Sequence, residues 1–232
     1  MLIDHSNGRV LEVLETREKS VVKAWLADNL ASGLLAHVEE VTSDMWEGYT
    51  MAVREVFGNR VRIVIDRFHV MRQFQKKLNE ERSQLRRMLP KEAAEALKGT
   101  RWLWLTNDEH LSDDQRAQLA KLKRQFPTLA RLANHRDQLR QIFEDRTIRT
   151  AAVGMIHLKR WCRRGRDLGL KALEPFYRLL EHWLKPIANY FVTRASNGPT
   201  EGFNRGLRGV LWRACGMVNF QHLRLRVLHA FG

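Results

Sequence analysis

Two textures divide this sequence, and the division limits its fold more than any single motif does. Short β-prone runs fall at residues 1–4, 9–15, 38–43 and 61–65, all before Asp66. Helical patterns lie among them. Residues 18–31 carry Val21, Val22, Trp25, Leu26 and Leu30 at helical spacing, and residues 46–57 form a helix closed by Gly58-Asn59. From 91 to 192 there is no convincing strand: 91–98, 113–125, 127–143, 147–164 and 173–192 all read as helices. Ser112, followed by Asp113 and Asp114, suits a helix start, and Pro186 sits inside the last of these runs. Strands alternating with helices, then helices alone, predict an α/β core carrying a large all-α block.

Acidic residues stand at two telling places. Asp44 closes the run 38–43 and precedes a helix, where open α/β sheets put their chemistry. An ordinary helix N-cap is the competing reading. Glu201 falls in Ser196-Asn197-Gly198-Pro199-Thr200-Glu201-Gly202-Phe203-Asn204, where an Asn-Gly turn and a proline suited to a first helical turn predict a helix start. Its carboxylate then lies beside unpaired backbone N–H groups, among Arg194, Arg205, Arg208 and Arg213, with Asn197 and Asn204 as neutral hydrogen-bonding side chains. Such a carboxylate can hold a divalent cation against a phosphate, or simply answer the helix dipole. Asp66 ends the run 61–65 and equally suits the N-cap of a long helical pattern, 67–89, which Pro90 breaks.

Charge narrows the partner. Lys+Arg number 40 against 26 Asp+Glu, a net charge of +14 and a pI near 10.4, which favours a polyanion. No run approaches the roughly 18 apolar residues that a membrane span needs, and no signal-peptide pattern opens the sequence. Cys162 and Cys215 make no metal-ligand spacing and read as free thiols in a reducing cytosol. The densest basic cluster, Lys159, Arg160, Arg163, Arg164 and Arg166 around Trp161, predicts a phosphate-backbone contact, against a merely solvated face. Trp102 and Trp104 either stack on an unpaired base or pack into a core.

Four blocks carry a resemblance: Val41-Thr42-Ser43-Asp44-Met45-Trp46-Glu47-Gly48-Tyr49, Val64-Ile65-Asp66-Arg67-Phe68-His69-Val70, the stretch Ser196 to Asn204, and Asn219-Phe220-Gln221-His222-Leu223-Arg224-Leu225-Arg226-Val227-Leu228. In this order, with a long helical stretch before the third, they resemble the catalytic half of transposases of the ISL-three insertion-sequence group, within the DDE recombinases. The resemblance runs from residue 2 to residue 228. It implies a ribonuclease-H-like mixed sheet without its first strand. Residues 1–90 would be the first part of the core, 91–192 a helical insertion, and 193–232 the closing helices with the third acidic residue.

By the same resemblance Asp44 is the second catalytic acid and Glu201 the third, and both are ligands of two Mg²⁺ (or Mn²⁺) ions. Asp66, His69, Asn197 and Asn204 would orient the site. Arg194, Arg205 and Arg208 would join the 159–166 cluster on DNA, the partner being mobile-element ends and target. A homodimer, and a place at the nucleoid in a bacterial cytoplasm, are further implications. The family's first Asp lies on a strand preceding residues 1–4, which read as a strand tail. Asp4, before the Ser6-Asn7-Gly8 turn, is not expected to replace it. The resemblance thus implies an amino-terminally truncated transposase with weak metal binding and little activity alone. The alternative is a non-catalytic DNA-binding remnant that pairs with full-length transposase and inhibits it.

Overall fold

The computed structural model describes residues 1–196, 198–213 and 219–232, apart from the side chains of 199–201 and 213. Asn197 and Cys215 lie outside the described residues. The protein is mixed α/β and dominated by helices, and it divides into two compact units, Met1–Asp66 with Ala195–Gly232, and Arg67–Arg194.

The first unit opens with a hairpin, β1 (Leu2–Asp4) antiparallel to β2 (Arg9–Glu12), turned at Gly8 with φ of 63°. Strand β2 stops short of the expected Glu15. The Val13 N–H donates to Glu12 Oε1 at 2.7 Å rather than continuing a ladder. Two late helices, α12 (Gly198–Arg213) and α13 (Phe220–Phe231), pack on this hairpin through Val10, Val13, Val210 and Val227. A Cβ on Gly206 would stand 2.6 Å from the Phe231 ring, so glycine there permits the two helices' close approach.

The remainder of this unit runs α1 (Lys19–Ala31), β3 (Glu40–Ser43), α2 (Glu47–Phe57) and β4 (Arg62–Ile65). Strands β3 and β4 are parallel, in the register Glu40↔Arg62 to Ser43↔Ile65, with α2 as the crossover. Val22 and Leu26 of α1, Ala52, Val53 and Phe57 of α2, and Ile63 of β4 form the core. Arg54 Nη1 fastens the end of α2 to the Gly58 and Val61 carbonyls at 3.1 and 3.0 Å. A single mixed sheet was the expectation; among the described residues the strands form two separate pairs, β1-β2 and β3-β4. Each strand is three or four residues long and offers few ladder bonds to recruit another neighbour.

The second unit is helical: α3 (Arg67–Met88), α4 (Lys91–Ala96), α5 (Arg101–Leu105), α6 (Asp113–Gln125), α7 (Pro127–Glu144), α8 (Ala151–Asp167), α9 (Glu174–His182), α10 (Leu184–Ala188) and α11 (Tyr190–Thr193). Ser112 caps α6 as expected: its Oγ accepts from Gln115 N, and its N–H donates to Gln115 Oε1. Helix α8 starts later than the expected 147, because Asp145 Oδ1 draws in the Thr147 N–H at 2.8 Å and its hydroxyl at 2.6 Å. The expected run 173–192 is three short helices. Pro186 lacks the N–H that would bond the His182 carbonyl, and α9 ends there.

Aromatic packing closes the helical unit. Trp161 stacks on His135 at 4.0 Å and meets Phe74, Phe176 and Tyr177 edge-on or tilted, at 5.5–6.0 Å. Its indole N–H donates to the His135 carbonyl at 3.0 Å. Gly165 makes room, since a Cβ there would lie 1.9 Å from the Tyr177 hydroxyl and 2.5 Å from His135 Nε2.

Candidate active site

The β3–β4 register decides where the acids go. Its last pair is Ser43↔Ile65, so Asp44 and Asp66 each stand one residue beyond the ends of two adjacent parallel strands. That edge, at the carboxyl ends of parallel strands, is where α/β folds collect polar groups. The two carboxylates differ in setting. Asp44 is exposed, whereas Asp66 is only 3% exposed and precedes α3.

The Asp44 surroundings explain the motif around it. The Trp46 N–H turns back to the Asp44 carbonyl at 2.8 Å, and the Ser43 hydroxyl donates to the same oxygen at 3.2 Å. Trp46 lies against Gly48, where a Cβ would fall 2.1 Å from the indole, and meets Tyr49 edge-on at 4.5 Å. Arg17 covers the Trp46 ring at 5.8 Å. Burial and then the Asp44 charge raise the Tyr49 phenol above its ordinary pKa. Asp44 thus sits beside a clamp of Trp46, Tyr49 and Arg17. Of these, Arg17 left no signal in the sequence. Trp46 and Tyr49 were inside the motif but carried no assigned role.

Glu201 lies in the first turn of α12, and its side chain is outside the described residues. Helix α12 and Asp44 belong to the same compact unit despite the long helical stretch between them in sequence. Asn204 accepts from Arg208 Nε at its carbonyl, 3.3 Å, and Arg205 and Arg208 are exposed. His69 meets Phe68 edge-on at 5.8 Å on α3.

Asp4 is committed to its own turn. Its Oδ1 accepts the Ser6 and Asn7 N–H groups at 3.0 and 3.1 Å, and Oδ2 accepts Asn7 Nδ2 at 2.6 Å. The Asn7 side-chain bond chiefly holds its pKa below the ordinary carboxylate value, against the opposing effect of burial.

The basic residues separate into two kinds. Lys159, Arg160, Arg163 and Arg164 are exposed along α8 and, among the described residues, have no ion pair. Arg166 is different: it bridges Glu174 at 3.0 Å and Glu181 at 2.6 Å. Arg194 has an internal task. In the left-handed conformation (φ 61°), it donates to the carbonyls of Phe143, Asp145 and Ile148 at 2.7, 2.6 and 2.6 Å.

Comparison with known proteins now decides the family. The DDE transposases of the ISL3 group, described simply as "Transposase", match residues 1–227. The chain belongs to that family. A transposase for insertion sequence element IS1001 from Bordetella parapertussis is 23% identical over 236 residues, covering all of this chain and 56% of its own length. The chain therefore spans little more than half of that curated transposase. No solved structure matches. Among the described residues, no helix is long and apolar enough to cross a membrane.

A DDE transposase implies divalent metal ions, and the donors can be tested against that. Magnesium takes hard oxygens, keeps several waters and needs one or two carboxylates from the protein. Exposed Asp44 at a strand end meets that description. Among the described residues, which do not include the Glu201 side chain, no group of three or more His, Cys, Asp and Glu side chains gathers to hold a metal.

Proposed function

We propose that this chain is a DNA transposase catalytic domain of ribonuclease-H-like type, which binds DNA and does not cut it unaided. The observation that carries the reading is the placement of Asp44 and Asp66 at the ends of paired parallel strands, in a unit that also holds the Glu201 helix. Asp44 and Glu201 would hold Mg²⁺ or Mn²⁺. When bound, the metal supplies charge stabilisation at the attacked phosphorus and an activated oxygen nucleophile. Buried Asp66 orients its edge of the strands, with His69, Asn197 and Asn204 as further positioning groups. Lys159, Arg160, Arg163 and Arg164, with Arg205 and Arg208, take the phosphate backbone. Arg166 and Arg194 fall outside that set because their guanidinium groups already serve carboxylates and carbonyls.

The Asp4 geometry supports the reading that Asp4 does not serve as the third acid. The chemistry calls for three acids, Asp44 and Glu201 are two, and Asp4 is held by its own turn. The proposed assembly on DNA is a homodimer, or a mixed dimer with a longer transposase. A strand-cleavage assay with mobile-element end DNA and Mg²⁺ or Mn²⁺ tests this. The expected result is salt-sensitive DNA binding without cutting. Robust cutting abolished by Glu201→Gln would overturn the inactivity and keep the transposase. Absence of DNA binding at low salt would remove both.

A further inference from the structure

The helical unit carries a second polar surface that the reading above leaves unused. Helix α5 is five residues long, yet it sends two tryptophans to opposite environments: Trp104 is 1% exposed and Trp102 is 66% exposed. Leaving an indole in water forgoes a large apolar burial, so its surroundings matter. Arg101 places its guanidinium 4.9 Å from the Trp102 ring centre. The end of α3 is tied to the same spot. Arg82 Nη1 donates to the Leu97 carbonyl at 3.1 Å, and the buried Thr100 hydroxyl donates to that carbonyl at 2.8 Å. Arg82 is itself fixed by Asn79 Oδ1 at 3.1 and 3.2 Å. Arg86 follows Arg82 by one turn on the same helix, and, after burial, the charges of Arg86 and Arg101 push the Arg82 pKa down. Arg86 and Arg101 are exposed and, among the described residues, have no acidic partner, while nearby Glu95 pairs with Lys98 at 3.2 Å.

We propose that Trp102, Arg86 and Arg101 form a subsite for an unpaired nucleotide of DNA, the base stacking on Trp102 and the flanking phosphates taking the two arginines. Repelling cations beside an open π-face are relieved by one class of partner above others, a polyanion that also offers flat apolar faces. Duplex DNA offers phosphates but keeps its bases stacked on one another, so the exposed indole selects a strand with a free base. That the strand is DNA rests on the transposase reading; the stacking chemistry does not.

The test uses the full chain with a labelled thymidine oligonucleotide of about 12 residues and, separately, a fully paired duplex. Trp102→Ala is expected to weaken oligonucleotide binding roughly 5- to 150-fold and to leave duplex binding within about twofold, while Trp102→Phe keeps most of it. Arg86→Gln with Arg101→Gln is expected to lower the single-strand salt slope by about 1.4. Circular dichroism checks the fold, which an exposed side chain should not disturb. Wild-type oligonucleotide affinity in Trp102→Ala, or an equal loss on both ligands, overturns the subsite while duplex binding sustains the transposase. A wild-type chain that binds neither ligand overturns both.

Discussion

The two units are closed in different ways. The helical unit is one continuous stretch, Arg67–Arg194, around an aromatic centre of Phe74, His135, Trp161, Phe176 and Tyr177, with Arg136 and Arg194 buried or half-buried against backbone carbonyls. The strand-bearing unit is two stretches brought together, with two apolar clusters whose buried residues are mostly aliphatic. Its clearest polar link across the break is Glu12 on β2 with Arg224 on α13, Nε to Oε1 at 2.6 Å. The candidate acids sit in the discontinuous unit, and the exposed cations of α8 stand on the continuous one. The strand-bearing unit depends on contacts between its two stretches, so substitutions at those contacts test it apart from the helical unit.

The largest expected effect breaks the first unit alone. Glu12 is 7% exposed; burial would raise its pKa, and the Arg224 bonds, the Val13 N–H and the Arg224 charge together more than offset that. Arg224→Met leaves a buried carboxylate without its cation, at a cost of about 3–4 kcal/mol. Hydrogen exchange should show lost protection in β2 and α13, with α7 and α8 unchanged. Equal loss in both units would mean that they unfold as one.

Arg194→Ala reverses the comparison. Three carbonyls lose one shared donor, and about 3 kcal/mol should disappear from the helical unit. Arg194→Lys should recover less than half, since one ammonium cannot span three acceptors. Urea unfolding measures the loss; duplex binding by the folded protein should keep its salt slope. A shallower slope at unchanged stability would return Arg194 to the DNA.

That arginine also marks where reading the sequence stops. Local signals were legible when their partners were local: the Ser112 cap, the β-branched strand 62–65, the Gly58 turn and the acids at strand ends all follow from neighbours in the chain. Arg194 looked like one more cation near Glu201, because its acceptors lie 46 to 51 residues away and are carbonyls, which every residue has. Trp102 and Trp104 share a helix too short to show a period, so which one faced inward was not legible. Pro186 is visible in the sequence, and its consequence is local: a proline fourth after His182 ends that helix rather than riding inside it. The strand pairing failed for a different reason. Residue pattern shows that a strand exists, and not which edge will accept it.

The next prediction probes the aromatic centre by pH. Burial pushes the His135 imidazole down to about 4, so it is neutral in the folded protein at neutral pH. The unfolded chain, with an ordinary value near 6.5, takes up the proton first. Stability is therefore full above pH 6.5 and falls as pH drops from there toward 4, by about 2–3 kcal/mol at about pH 4.5. His135→Phe should flatten that slope in urea titrations at stepped pH. An unchanged slope would place the acid sensitivity elsewhere, with the carboxylate pairs of the first unit next in line.

The smallest effect on stability is the sharpest on function, and it lies within a single helix. Arg160 and Arg166 differ only in what answers their charge: Arg160 is exposed without an ion pair, and Arg166 bridges Glu174 and Glu181 at a partly exposed site. Like charges three and four apart, Arg160 with Arg163 and Arg164, cost an isolated helix a few tenths of a kcal/mol, so their spacing is tolerable and is relieved by an anion. Arg160→Gln should leave unfolding unchanged and lower the duplex salt slope by about 0.9, the release of one phosphate's counterion. Arg166→Gln should do the opposite, losing under about 1 kcal/mol of stability and leaving the slope alone. If both substitutions shift the slope equally, the acids beside Arg166 do not withhold it from DNA, and the division of arginines by partner loses its meaning.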